Sequence, residues 1–177
     1  FVTLEDGKKS DKTVSKMIAK DGEEVQLHEH FTMDGEVEAY LNCLTESMRK
    51  SLKAILSDAV EKAVNWDIDT PRHEWLFNYP AQLCITGTQI YWTDETQLAL
   101  EEYEGGQEDA VKRYLQVCNK RLSALIQLVL GDLLAADRTK IISLITMDVH
   151  SRNVVDSLMA RKKGPNAFSW QKQMRLE

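Results

Sequence analysis

Four long stretches of this 177-residue chain repeat apolar residues every three or four positions. That spacing lines up one face of an α-helix and leaves few other folds open. Val37, Leu41, Leu44, Met48, Leu52, Ile55, Ala59 and Ala63 form the first stripe. It covers about 30 residues, or roughly 45 Å at 1.5 Å per residue. Asp34 stands before it as a candidate N-cap, with Glu36 and Glu38 favouring the positive end of the helix. Thr70-Pro71 predicts a cap and a first-turn proline for a short helix through Trp75 and Phe77. Pro80 opens the next helix and biases Tyr79 out of the α region, so the chain bends there. Leu83, Gly87, Ile90, Leu98 and Tyr103 carry the period to a stop at Gly105-Gly106. A third long helix is expected from Glu108 to Leu134, with Val111, Leu115, Cys118, Leu122, Leu125, Val129 and Leu133 inward. A fourth, capped by Asp137, runs through Leu158 to Gly164-Pro165, and a short one with Phe168, Trp170 and Met174 follows.

Residues 1–33 lack the helical period. Val14–Ala19 and Glu24–His28 flank Asp21-Gly22 and read as a β-hairpin. Such a hairpin is marginal alone in water and should pack on the helices. The expected fold is therefore mainly α: an elongated antiparallel helical bundle or rod (34–177) behind a small N-terminal hairpin segment (1–33). The start at Phe1 and the end at Glu177 within a helical pattern suggest a piece of a longer protein.

Composition narrows the function classes. With 43% hydrophobic and 28% charged residues the chain is globular, and no apolar run nears the roughly 18 residues of a membrane span. Residues 1–137 carry 14 Lys/Arg against 25 Asp/Glu, whereas residues 138–177 carry 8 against 3. An acidic body argues against a nucleic-acid partner. Cys43, Cys84 and Cys118 are odd in number, widely spaced and at apolar helix positions, which reads as buried free thiols.

Chemistry-bearing motifs are sparse. Gly7-Lys8-Lys9-Ser10 lacks the first glycine of a phosphate-binding loop, and no lysine follows Gly105-Gly106. His28 and His30 share a strand face, but no third ligand has metal-site spacing. Asp148 and His150 point about 200° apart on a helix, so they do not form an orienter and base. Asp148 and Arg152 are spaced for an ion pair, and a polar knot meeting a neighbouring helix is the simplest reading of this segment. Trp66, Trp75, Trp92 and Trp170 read as core or junction anchors, with Trp66, in a turn, best placed for an outside contact. No catalytic, cofactor-binding or metal-ligating residue emerges.

Three stretches give the chain a family resemblance. They are Trp75-Leu-Phe-Asn-Tyr-Pro80-Ala-Gln-Leu83 with Thr88-Gln-Ile-Tyr-Trp-Thr93; Asp137-Arg-Thr-Lys-Ile141 with Ile145-Thr-Met-Asp148-Val-His150-Ser-Arg152-Asn-Val-Val155; and Phe168-Ser-Trp170-Gln-Lys-Gln-Met-Arg175. Together with the hairpin and Gly35-Glu-Val-Glu38, they resemble the linker region of dynein heavy chains, the part preceding the ring of AAA+ modules. The wording around Thr86–Thr93 and Asp148–Arg152 is closer to axonemal dyneins, although Asn153 stands where that pattern more often has aspartate. The resemblance covers most of the chain. It implies a mechanical rod that bends and straightens across the ring to produce the power stroke. It also implies that ATP and Mg are handled in the ring of the parent motor ATPase, not in this part. Implied partners are the ring, the remaining linker, intermediate and light chains and microtubules, with no membrane partner, in the cytoskeleton of a cilium or flagellum. On this reading Trp66, Trp75, Pro80, Trp92, Asp148, His150, Arg152 and Trp170 are structural or interface positions. A passive helical scaffold or adaptor for protein–protein interaction is the alternative.

Overall fold

The computed structural model describes residues 2–4, 13–20, 22–63, 72–162 and 164–176, with the backbone alone at 2–4 and 174–176. Trp66, the Thr70-Pro71 cap, Asp21 and Lys163 lie outside the described residues. Strands β1 (Val2–Leu4), β2 (Thr13–Ile18) and β3 (Glu24–Thr32) precede helices α1 (Val37–Ala63), α2 (Arg72–Trp75), α3 (Ala81–Glu104), α4 (Ala110–Leu130), α5 (Ala135–Ala160) and α6 (Phe168–Leu176). A 3-10 turn, Leu76–Asn78, continues α2. The fold is mainly α, as expected, with the small sheet at its N-terminal end.

The expected hairpin is present as β2–β3, and β1 adds a third antiparallel strand that alternation did not suggest. Between the pairs Val14↔Phe31 and Lys16↔Gln26, Ser15 alone faces Leu27–His30. A bulge of this kind frees backbone groups from the ladder. Two serines of α1 take them up: Ser51 Oγ accepts from His28 N–H at 2.8 Å, and Ser47 Oγ donates to the Glu29 carbonyl at 2.9 Å. Here the apolar stripe misleads. Val37 and Leu41 are 56% and 47% exposed, while Ser47 and Ser51 are buried against β3. Further along, α1 reaches an apolar core with Ala59 and Ala63 buried in it and Ile55 packed against it.

Caps also differ from expectation. Asp34 accepts from the Gly35 N–H instead of capping α1, whose first bonds run from Ala39 and Tyr40 to the Glu36 carbonyl. Leu134, not Asp137, is the N-cap of α5, without a side-chain bond. Arg138 closes the α4–α5 turn by donating to the Val129 and Gly131 carbonyls. The predicted bend at Pro80 is there, with Tyr79 extended (φ −131°, ψ 153°) and Pro80 as the N-cap of α3.

Two apolar clusters fill the body. The first joins Ala59, Ala63, Trp75, Leu76, Tyr79, Cys84, Leu125, Ile141 and Leu144. The second joins Trp92, Ala99, Leu100, Val111, Tyr114, Val155, Leu158 and Trp170. Between these clusters α3 buries Thr88 and α5 buries Asp148 and Ser151, and there the candidate site lies. Of the thiols, Cys84 is buried and Cys118 half-buried, but Cys43 is exposed, against expectation. No described helix is long and apolar enough to cross a membrane.

Candidate functional site

The carboxylate of Asp148 is 10% exposed, and a charge so far from water needs a partner. That partner is not Arg152, one turn along α5, but Arg72 of α2, whose guanidinium is 6% exposed. Arg72 Nη1 and Nη2 donate to Asp148 Oδ2 and Oδ1 at 2.5 and 2.9 Å, a two-pronged contact that fixes orientation as well as distance. Both carboxylate oxygens are thereby used, and Arg152 is left half-buried with its Nε bonded to none of the described residues. Thr88 of α3 lies 3.5 Å from Arg72 Nη2, so the fork touches three helices.

A second fork stands beside the first. Arg121 of α4 donates from Nη1 and Nη2 to Glu95 of α3 at 2.5 and 2.9 Å. Glu95 Oε2 also accepts from the Tyr114 hydroxyl at 3.2 Å, and the Arg121 guanidinium sits 6.0 Å from the Tyr91 ring centroid. Burial drives the Tyr114 hydroxyl far above the usual phenol range. A cavity of about 30 Å³, roughly the volume of one water molecule, lies among Arg72, Thr88, Trp92, Tyr114, Asp148 and Ser151. The two forks tie α2 to α5 and α3 to α4, in a layer with an apolar cluster on each side. With every carboxylate oxygen engaged, the arrangement supplies orientation rather than a free acid, base or nucleophile.

The other sequence-derived positions fall around this layer. Trp75 is in the first cluster, its indole N–H donating to the Ala59 carbonyl at 3.1 Å and its ring 5.2 Å from Tyr79. Gly87 of α3 makes room for it, since a Cβ there would sit 3.3 Å from the Trp75 ring. Trp92 and Trp170 meet edge to face at 5.5 Å in the second cluster, and the Trp170 N–H donates to Gln97 Oε1 at 2.8 Å. That contact docks α6 on α3. His150 is exposed on α5, its Nε2 2.9 Å from Gln173 Nε2 of α6. The structure thus unites Trp92 with Trp170 and places Asp148 in the layer between the clusters, while Trp75 and Pro80 belong to the first cluster and its edge. Among the described residues no group of three His, Cys, Asp or Glu could hold a metal ion, and His28 and His30 are both exposed.

Arg72, Glu95 and Arg121 were not singled out from sequence. Arg121 carried a usable signal, because it adjoins Leu122 on the inward face of α4 between Cys118 and Leu125. A cation so placed implies an acid on a facing helix.

Residues 2–59, the sheet and most of α1, match the family described as Dynein heavy chain, N-terminal region 2. Similarity to individual proteins extends through the polar layer. The chain is 37% identical over 161 residues to the ciliary dynein beta chain of Tripneustes gratilla, covering 90% of this chain and 4% of that protein. It is 37% identical over 160 residues to dynein axonemal heavy chain 17 of Homo sapiens, again 90% and 4%. To the flagellar outer arm dynein alpha chain of Chlamydomonas reinhardtii it is 34% identical over 143 residues, 81% and 3%. The chain spans about 4% of the length of the relatives it matches first. With the sheet and α1 matching the N-terminal region and the helical body matching ciliary and flagellar heavy chains, the chain belongs to the dynein heavy chain family, as part of the N-terminal region of an axonemal-type member.

Proposed function

We propose that this chain is a mechanical linker element of its dynein motor, a helical rod that passes ATP-driven changes of the ring into the power stroke for movement along microtubules. The observation that supports this most is the layer of two Arg–carboxylate forks, one buried and one half-buried, between two apolar clusters. Packed interiors deform little, and paired forks resist rotation of one helix about another. Four helices so joined move as one body, which a force-bearing part requires. In this reading ATP and Mg are handled by ring modules of the heavy chain, and the rod itself is not catalytic. Its partners are the ring and the remaining linker, and, through the whole complex, intermediate and light chains and microtubules. The place of action is the cytoskeleton of a cilium or flagellum.

A passive helical scaffold is the alternative, and it needs rigidity but no changing contact with the ring. Crosslinking mass spectrometry on the intact heavy chain, with and without a trapped ATP state, separates the two. Lys162 and Lys172 are exposed and serve as reporters. Crosslinks from them to ring modules that change with nucleotide are the expected result. Crosslinks identical in both states would leave the scaffold.

A further inference from the structure

Pro80 disturbs the backbone on both sides. The extended Tyr79 carbonyl lies outside any helix, and the Ala81 N–H is among the first-turn donors that no helical carbonyl serves. Both groups are met by charged side chains from distant parts of the chain. Glu23 Oε1 accepts from the Ala81 N–H at 2.7 Å, and Lys140 Nζ donates to the Tyr79 carbonyl at 2.6 Å. Glu23 closes the β2–β3 turn, where Gly22 takes φ +90° and Ala19 N–H donates to the Glu23 carbonyl at 2.8 Å. Its position is therefore set by the sheet. Lys140 stands in the second turn of α5. An acid from the sheet and a base from α5 thus grip the same bend with the polarity that each backbone group demands.

This grip differs from the forks in one respect. Glu23, Lys140, Tyr79, Pro80 and Ala81 line an open groove of about 720 Å³, so it can let go without unpacking the core. We propose that Glu23 and Lys140 are positioning residues that clasp the Pro80 bend and couple the β-sheet to α3. When the clasp opens, sheet and helical body loosen together. The inference rests on the bend itself and not on the motor reading, so either can fail alone.

Amide hydrogen exchange by NMR on the 177-residue chain tests it, with Glu23→Ala, Glu23→Gln and Lys140→Met compared with the parent. A charge-assisted hydrogen bond protects its donor about tenfold or more. Glu23→Ala is expected to speed exchange at Ala81 by about that factor and to speed the β2–β3 amides as well. Glu23→Gln, which keeps an acceptor without the charge, should restore part of the protection at Ala81. Lys140→Met should also speed the β2–β3 amides, although among the described residues Lys140 bonds only the bend. Amides of residues 148–158, in the buried layer and second cluster, should stay as in the parent and certify the fold. Unchanged β2–β3 exchange in Lys140→Met, or unchanged Ala81 in Glu23→Ala, would overturn the proposal.

Discussion

At the scale of single residues, the Arg72–Asp148 fork carries the largest stake. A buried ion pair adds little net stability over apolar packing, because desolvation consumes most of the attraction, but half a pair is costly. Arg72→Ala or Asp148→Ala should each lower unfolding free energy in urea by about 3–5 kcal/mol, and the double replacement Arg72→Met with Asp148→Leu should recover most of that loss. Arg152→Ala should change it by well under half as much as either single variant, since its guanidinium joins no ion pair among the described residues. The thiols give a pH signature. Burial raises the Cys84 thiol from 9.0 to about 11, and burial raises Cys118 likewise to about 11. The folded state therefore holds these protons more tightly than the unfolded chain, which releases them from about pH 9. Stability on this account is full below pH 9 and falls as pH rises through 11, with the slope read from urea midpoints between those limits. Over the same range exposed Cys43 should alkylate well ahead of Cys84.

At the scale of elements, close approach and backbone satisfaction decide how pieces meet. The Trp75 ring lies flush on α3 only because Gly87 has no side chain. Gly87→Val puts branched carbons into that space and should destabilise by about 1–3 kcal/mol, measured by urea unfolding, with Trp75 fluorescence reporting the displaced indole. The sheet is tied to α1 by hydrogen bonds involving Ser47 and Ser51, because the bulged Leu27–His30 stretch presents backbone groups outside the ladder. Helical periodicity alone made Val37 and Leu41 look like core. They are exposed because β3 packs further along α1.

Across the whole molecule, two apolar clusters and an ionic layer make α2–α5 one body, and Trp170 fastens α6 to it through Trp92 and Gln97. If the chain transmits force, loosening α6 should waste part of each stroke. A heavy chain carrying Trp170→Leu is expected to glide microtubules more slowly while keeping its basal ATPase, both measured on one motor preparation. Equal velocity in a stably folded variant would count against the linker reading and leave the fork energetics untouched.

The helices of this chain are written locally. Three-and-four spacing, Pro80 and Gly105-Gly106 specify α1, α3, α4 and α5 to within a few residues, because periodicity and backbone restriction act within a turn or two. Family membership was legible in the same way, from contiguous stretches around Pro80, Asp148 and Trp170. The pairing of side chains was not. Arg152 is the near neighbour of Asp148 by spacing, yet Arg72, 76 residues away, takes the carboxylate, because packing α2 against α5 brings a buried guanidinium to it. Likewise Glu23 and Lys140 reach the Pro80 bend from 58 and 61 residues off. A one-dimensional pattern states which positions want burial. Which polar groups then share that burial is decided when the elements dock, since the cost of an unpaired charge depends on everything packed around it.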